Sequence, residues 1–133
     1  MSDSILQTAG ALFQQIEAGN PEGVAALYAD DVEVWHNFSN AVQSKAENLR
    51  TLEGLIKSVA EIRYEIVERL ALDGGRMMQR HNLRCRTRDG TEFVIPACIF
   101  VTVRDGKIAR IDEYLDTAQA NALRAATGRA TLG

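Results

Sequence analysis

The chain has 133 residues, 46% hydrophobic and 25% charged, which suits one domain able to bury a core without disulfide or metal staples. Fifteen Lys and Arg against eighteen Asp and Glu leave a net charge of −3, which argues against a nucleic-acid partner, because gripping phosphates needs a basic face. No stretch approaches the roughly 18 apolar residues of a membrane span, and the opening MSDSILQTAGALFQQ is unlike a secretory or transit leader.

The apolar residues Ile5, Leu6, Ala9, Leu12, Phe13 and Ile16 share one face of a first helix that stops at Gly19. Asn20-Pro21-Glu22 reads as cap, first-turn proline and first-turn acid of a short second helix with Val24, Leu27 and Tyr28 inward. After Asp30-Asp31 the period changes to two, setting Val32, Val34 and His36 on one face and Glu33 and Trp35 on the other. Ser44 and Glu47 form a capping box for a third helix with a stripe of Leu49, Leu52, Leu55, Ile56 and Val59. From about Ile62 four strands follow, parted by the turn signals Asp73-Gly74-Gly75, Arg88-Asp89-Gly90 and Arg104-Asp105-Gly106. Asp116 is placed to cap a last helix over 117–126, followed by a frayed tail.

Three helices and then a meander of antiparallel strands predict an α+β fold, a curved sheet with helices on one face. The strand over 92–104 is apolar on both sides: Phe93, Ile95, Ala97, Ile99, Val101 and Val103 on one, Val94, Pro96, Cys98 and Phe100 on the other. One face covers the helices; the other predicts a homodimer contact. Cys85 and Cys98 lack metal-type spacing and read as small buried apolar residues, both kept reduced in a cytoplasmic protein.

Helix–"AGN"–helix–"LYADDVEVWHN", a capped helix, and then "RDGTEFVIPACIFVTVRDGKIARIDEYLD" resemble the nuclear transport factor 2-like superfamily over about residues 4–126. That superfamily includes ketosteroid isomerases, limonene epoxide hydrolases and SnoaL-like polyketide cyclases. The resemblance implies one SnoaL-like domain over 1–133, a cone in which the curved sheet and the helices enclose a small-molecule pocket. Matched to ketosteroid isomerases, His36 takes the place of the carboxylate base, and Leu12 and Cys98 replace the oxyanion-hole tyrosine and aspartic acid. An alkyl chain donates no hydrogen bond and a thiol donates weakly, so the match implies other chemistry than steroid isomerisation. Matched to limonene epoxide hydrolases, "GKIARIDEYLD" is close to the last-strand motif, with Glu113 for one carboxylate and Arg80 for the arginine. Asn82 replaces the second aspartate and Val34 the water-holding tyrosine. An asparagine can hold water but cannot titrate.

The residues suggest a catalytic constellation of their own. His36 ends the inward face of the first strand, and the last strand should turn Ala109, Ile111, Glu113 and Leu115 to the same side. A carboxylate in an apolar row needs a partner. In the strand over 76–87, hydrophobic patterning turns His81 inward with Met77, Gln79, Leu83 and Cys85, whereas the epoxide-hydrolase match turns Arg80 and Asn82 inward. Patterning favours His81. Two imidazoles and a carboxylate would then stand among Val34, Val94, Cys98, Phe100, Ile111 and Leu115 as the substrate-binding wall.

Imidazole titrates near neutrality and can take and return a proton, so cofactor-free and metal-free acid–base chemistry on a small, mainly apolar metabolite is expected. His36 would be the base, Glu113 and His81 would orient it and relay protons, and Arg80 or Asn82 would polarise an oxygen in the other register. The alternative is a non-catalytic ligand-binding or dimerisation module. An open pocket of at least about 300 Å³ at His36 favours an enzyme or ligand binder, and a solid core favours the structural role.

Overall fold

The computed structural model describes residues 2–128, and the tail expected to fray lies mostly outside them. Helix α1 (Ser2–Glu17) buries Ala9, Leu12, Phe13 and Ile16. It stops before Gly19, whose φ of 68° is left-handed. Asn20 caps α2 (Pro21–Leu27), its side chain accepting from the Gly23 amide at 3.3 Å. Strand β1 (Tyr28–His36) starts earlier than the sequence period suggests, so Tyr28 opens the strand.

A tight turn, with Asn40 at φ 51°, leads to a three-residue strand, β2 (Ala41–Gln43), that the sequence did not announce. The capping box opens α3 (Lys45–Ser58), the Ser44 hydroxyl accepting from the Glu47 amide at 3.2 Å and the Glu47 carboxylate from the Ser44 amide at 2.8 Å. Strands β3 (Glu61–Leu72), β4 (Arg76–Arg86), β5 (Glu92–Arg104) and β6 (Lys107–Leu115) follow, and α4 (Thr117–Thr127) begins at the Asp116 cap. Asp105 and Gly106, at φ 54° and 75°, turn β5 into β6 with the twist a two-residue hairpin needs.

The six strands form one open, curved sheet in the order β2-β1-β6-β5-β4-β3. Strands β3, β4, β5 and β6 form an antiparallel meander and β2 pairs antiparallel with β1, but β1 pairs parallel to β6. The inner face therefore carries rows of side chains across strands. One row runs Val34, Ile111, Val101, Met77; the next runs His36, Glu113, Ile99, Gln79; a third holds Leu115, Ala97 and His81. Helices α1 and α3 lie over these rows and close the core with Leu12, Phe13, Leu52 and Leu55. The helices-on-one-face α+β cone expected from the sequence is the fold observed.

Candidate active site

The parallel pairing of β1 with β6 puts His36 opposite Glu113 on the inner face. The pairing joins positions 77 apart in the chain. His36 Nε2 stands 3.0 Å from Glu113 Oε1, with side-chain exposures of 4% and 14%. A carboxylate can only accept, so in a hydrogen bond between these two atoms His36 Nε2 is the donor. Just beyond the pair, Asn37 bridges the strand ends: its Nδ2 donates to the Leu115 carbonyl at 3.2 Å and its Oδ1 accepts from the Leu115 amide at 3.0 Å.

Both members of the pair line an inner cavity of about 40 Å³, walled mainly by apolar side chains of α1, α3 and the sheet. That volume holds roughly two or three waters. It lies well under the 300 Å³ mark, so the hollow is neither an open metabolite pocket nor a solid core. Three neutral polar side chains, Tyr28, Asn48 and Tyr64, share its wall. The Tyr28 hydroxyl donates to Asn48 Oδ1 at 2.7 Å, Asn48 Nδ2 donates to Gln43 Oε1 at 2.9 Å, and Gln43 Nε2 donates to the Thr51 hydroxyl at 3.0 Å. Burial, helped by the charge of Glu113, raises the Tyr28 pKa, and the same two causes lead in raising that of Tyr64 well above the usual phenol. Both phenols stay protonated at neutral pH.

His81 points inward, 2% exposed, beside the equally buried Gln79. Gln79 Nε2 is 2.9 Å from His81 Nδ1, and Arg69 Nε donates to Gln79 Oε1 at 2.7 Å. His81 Nε2 is buried and finds no acceptor among the described residues. Such an unmet donor costs about 1–3 kcal/mol. Burial holds the His81 pKa below its usual value; the Glu113 charge opposes this and the Arg69 charge adds to it. His81 does not itself line the cavity, but it stacks edge-on against Phe13 and Tyr64, which do.

Five residues expected at the site stand elsewhere. Arg80 and Asn82 face outward, Arg80 Nε pairing with Glu68 Oε1 at 3.0 Å and Asn82 Nδ2 donating to Glu65 Oε1 at 3.0 Å. The β4–β5 ladder runs without a slip, and the irregularity lies instead at Val67 on β3, so nothing turns Arg80 inward. Val94, Cys98 and Phe100 sit on the outer face too, opposite Arg84, Arg80 and Met78. The reason is the pleat. With Ile95, Ile99 and Val101 buried inward, their even-numbered neighbours must point away. Val34, Ile111 and Leu115 do line the cavity.

Asn48, Gln79 and Arg69 were missed. Asn48 could have been found: it lies four and seven residues before Leu52 and Leu55, on the same helical stripe. Gln79 alternates with Met77 and His81, but its amide reads as an ordinary polar residue until Arg69 is seen against it. Among the described residues no group of three or more His, Cys, Asp or Glu could hold a metal ion.

Solved structures with this architecture include PrhC from Penicillium brasilianum NBRC 6234, with a TM-score of 0.83 and 15% identity over 96% of this chain and 91% of that one. IdmH from Streptomyces antibioticus, a candidate polyketide cyclase, matches with a TM-score of 0.77 and 14% identity over 91% of this chain and 98% of its own. An LEH-like epoxide hydrolase of M. tuberculosis matches at 0.76 and 14% identity, over 95% of this chain and 92% of that one. At such identities these likenesses concern the fold. No curated protein matches the chain in sequence. The model of the SnoaL-like domain matches residues 9–111, more than half of the chain, and with the cone and its inward cavity on view the protein belongs to the SnoaL-like domain family.

Proposed function

We propose that the protein is a cofactor-free acid–base enzyme for a small, mainly apolar molecule, with His36 as the base. The observation that carries this reading is the His36–Glu113 pair on the wall of an apolar cavity. In the step proposed, a substrate C–H or water O–H gives its proton to His36. Glu113 holds the ring through Nε2–H and stabilises the imidazolium, which then returns a proton, exchangeable with solvent, to the product. Tyr28 and Asn48 offer neutral hydrogen bonds beside the pair. Among structural neighbours, the names of a polyketide cyclase candidate and an epoxide hydrolase are compatible with such chemistry. Because the cavity is about 40 Å³, a metabolite is admitted only as wall side chains move aside.

That volume also favours a second reading, a binding or dimerisation module whose buried pair is satisfied and idle. The two part on one measurement. Incubated in deuterium oxide with cyclohexanone, the protein should speed deuterium uptake beside the carbonyl. His36→Ala and Glu113→Gln should remove roughly 100-fold or more of that acceleration while leaving the circular dichroism unchanged. Uptake by the unaltered protein no faster than in buffer favours the module.

Two further parts of the reading concern the setting. A homodimer through the outer sheet face is supported by Val94, Cys98 and Phe100, each only half-buried there. A cytoplasmic location suits two cysteines, Cys85 and Cys98, that form no disulfide, and no described helix is long and apolar enough to cross a membrane.

A further inference from the structure

We infer that His81 is a fixed hydrogen-bond donor for a substrate carbonyl or enolate oxygen, held in its Nε2–H form by Gln79 and Arg69 and reached as the cavity opens past Phe13 and Tyr64. The inference rests on the reading of the cavity as a substrate site, but not on His36 being the base.

The direction of the chain follows from what each group can do. A guanidinium only donates, so the Gln79 atom facing Arg69 at 2.7 Å is the amide oxygen. The Gln79 NH₂ then faces His81 Nδ1 at 2.9 Å and can only donate to it. The ring proton of neutral His81 is left on Nε2. An amide NH₂ cannot take up a proton either, so nothing passes through Nδ1, and the ring is a donor rather than the relay expected from its charge chemistry alone.

The Nε2–H is sealed from solvent and has no acceptor among the described residues. The His81 ring packs edge-on against the rings of Tyr64 and Phe13, with ring centres 4.9 Å and 5.6 Å away. These two rings separate His81 from a cavity too small for a metabolite. Of the side chains that must give way, they are the two whose displacement adds a polar floor. Arg69 ties the parts together, its guanidinium lying 5.7 Å from the Phe13 ring centre while its Nε holds Gln79. Gly10 on α1 makes room for it, since a Cβ there would stand 2.9 Å from Arg69 Nη1. An oxygen acceptor fits this donor and a cationic ligand does not.

The test uses the full-length protein with ¹⁵N-labelled histidine, and cyclohexanone as the probe. Long-range proton–nitrogen spectra should show His81 as the Nε2–H tautomer, with His36→Gln assigning the only other histidine. On titration with cyclohexanone the His81 Nε2–H signal should shift and saturate. Gln79→Glu supplies an acceptor at Nδ1, so it should move the proton to Nδ1 and weaken the ketone by about tenfold. An Nδ1–H tautomer in the unaltered protein overturns the inference, as does a titration in which His81 fails to shift. Neither measurement needs the variant to fold. Deuterium uptake that depends on His36 while His81 stays silent retires this inference and leaves the acid–base reading; a saturating His81 shift without uptake does the reverse.

Discussion

His36, Glu113 and His81 show how the same residue types take different duties from their neighbours. His36 faces a carboxylate at 3.0 Å, which can hold its proton and steady its charged form. His81 faces an amide that cannot, inside a wall of aromatic rings. Burial lowers the His81 pKa beneath 6.5, so between that value and the lower folded one the unfolded chain binds a proton that the folded chain refuses. The stability tied to His81 is therefore complete above pH 6.5 and is lost as the pH falls below it. Urea midpoints measured between about pH 7.5 and 5 should drop on the acid side, and less steeply in His81→Gln. Equal slopes for the two proteins would remove His81 from the acid sensitivity.

Among the elements, α3 shows most directly how local chemistry serves the cavity. Its capping box sets the first turn, and one turn later the helix delivers Asn48, then Leu52 and Leu55, to the cavity wall. Ser44→Ala removes the hydroxyl that satisfies the Glu47 amide. We expect it to cost about 1 kcal/mol, seen as a lower urea midpoint with an unchanged slope. Strand β1 works differently. Its alternation aims His36 inward, but the pairing with β6 supplies the carboxylate, and the Asn37 side chain fastens the two strands where the ladder ends. On β3 the extra residue Val67 lets Arg69 turn inward to Gln79 while Glu65 and Glu68 keep their outward pairs with Asn82 and Arg80.

Taken whole, the molecule has an inner sheet face committed to core and cavity and an outer face that mixes apolar side chains with ion pairs. Tyr114 is 51% exposed there, edge-on to Trp35, and a shallow depression of about 360 Å³ runs beside Pro96 and Cys98. If this face joins two copies, sedimentation should give twice the 14.6 kDa chain mass, and Tyr114→Lys with Pro96→Asp should return it to one. A single-chain mass at every concentration ends the homodimer proposal. The outer placement of Val94, Cys98 and Phe100 makes them candidates for that contact and takes them away from the cavity.

Period and punctuation are short-range properties, and they were legible from the residues. The stripe of α1, the Asn20, Ser44 and Asp116 caps, the glycine turns and the inward side of each long strand all follow from neighbours a few positions apart. So does the orientation of His81, which patterning favoured over Arg80 and Asn82. Contacts made across the sheet were another matter. The parallel docking of β1 on β6, the reach of Arg69 to Gln79 and the size of the cavity depend on which distant segments meet, and side-chain alternation is blind to that. A strand pattern says which way a residue points. Only the assembled sheet says what it meets there, and the meeting is what turns a buried histidine into a base or a donor.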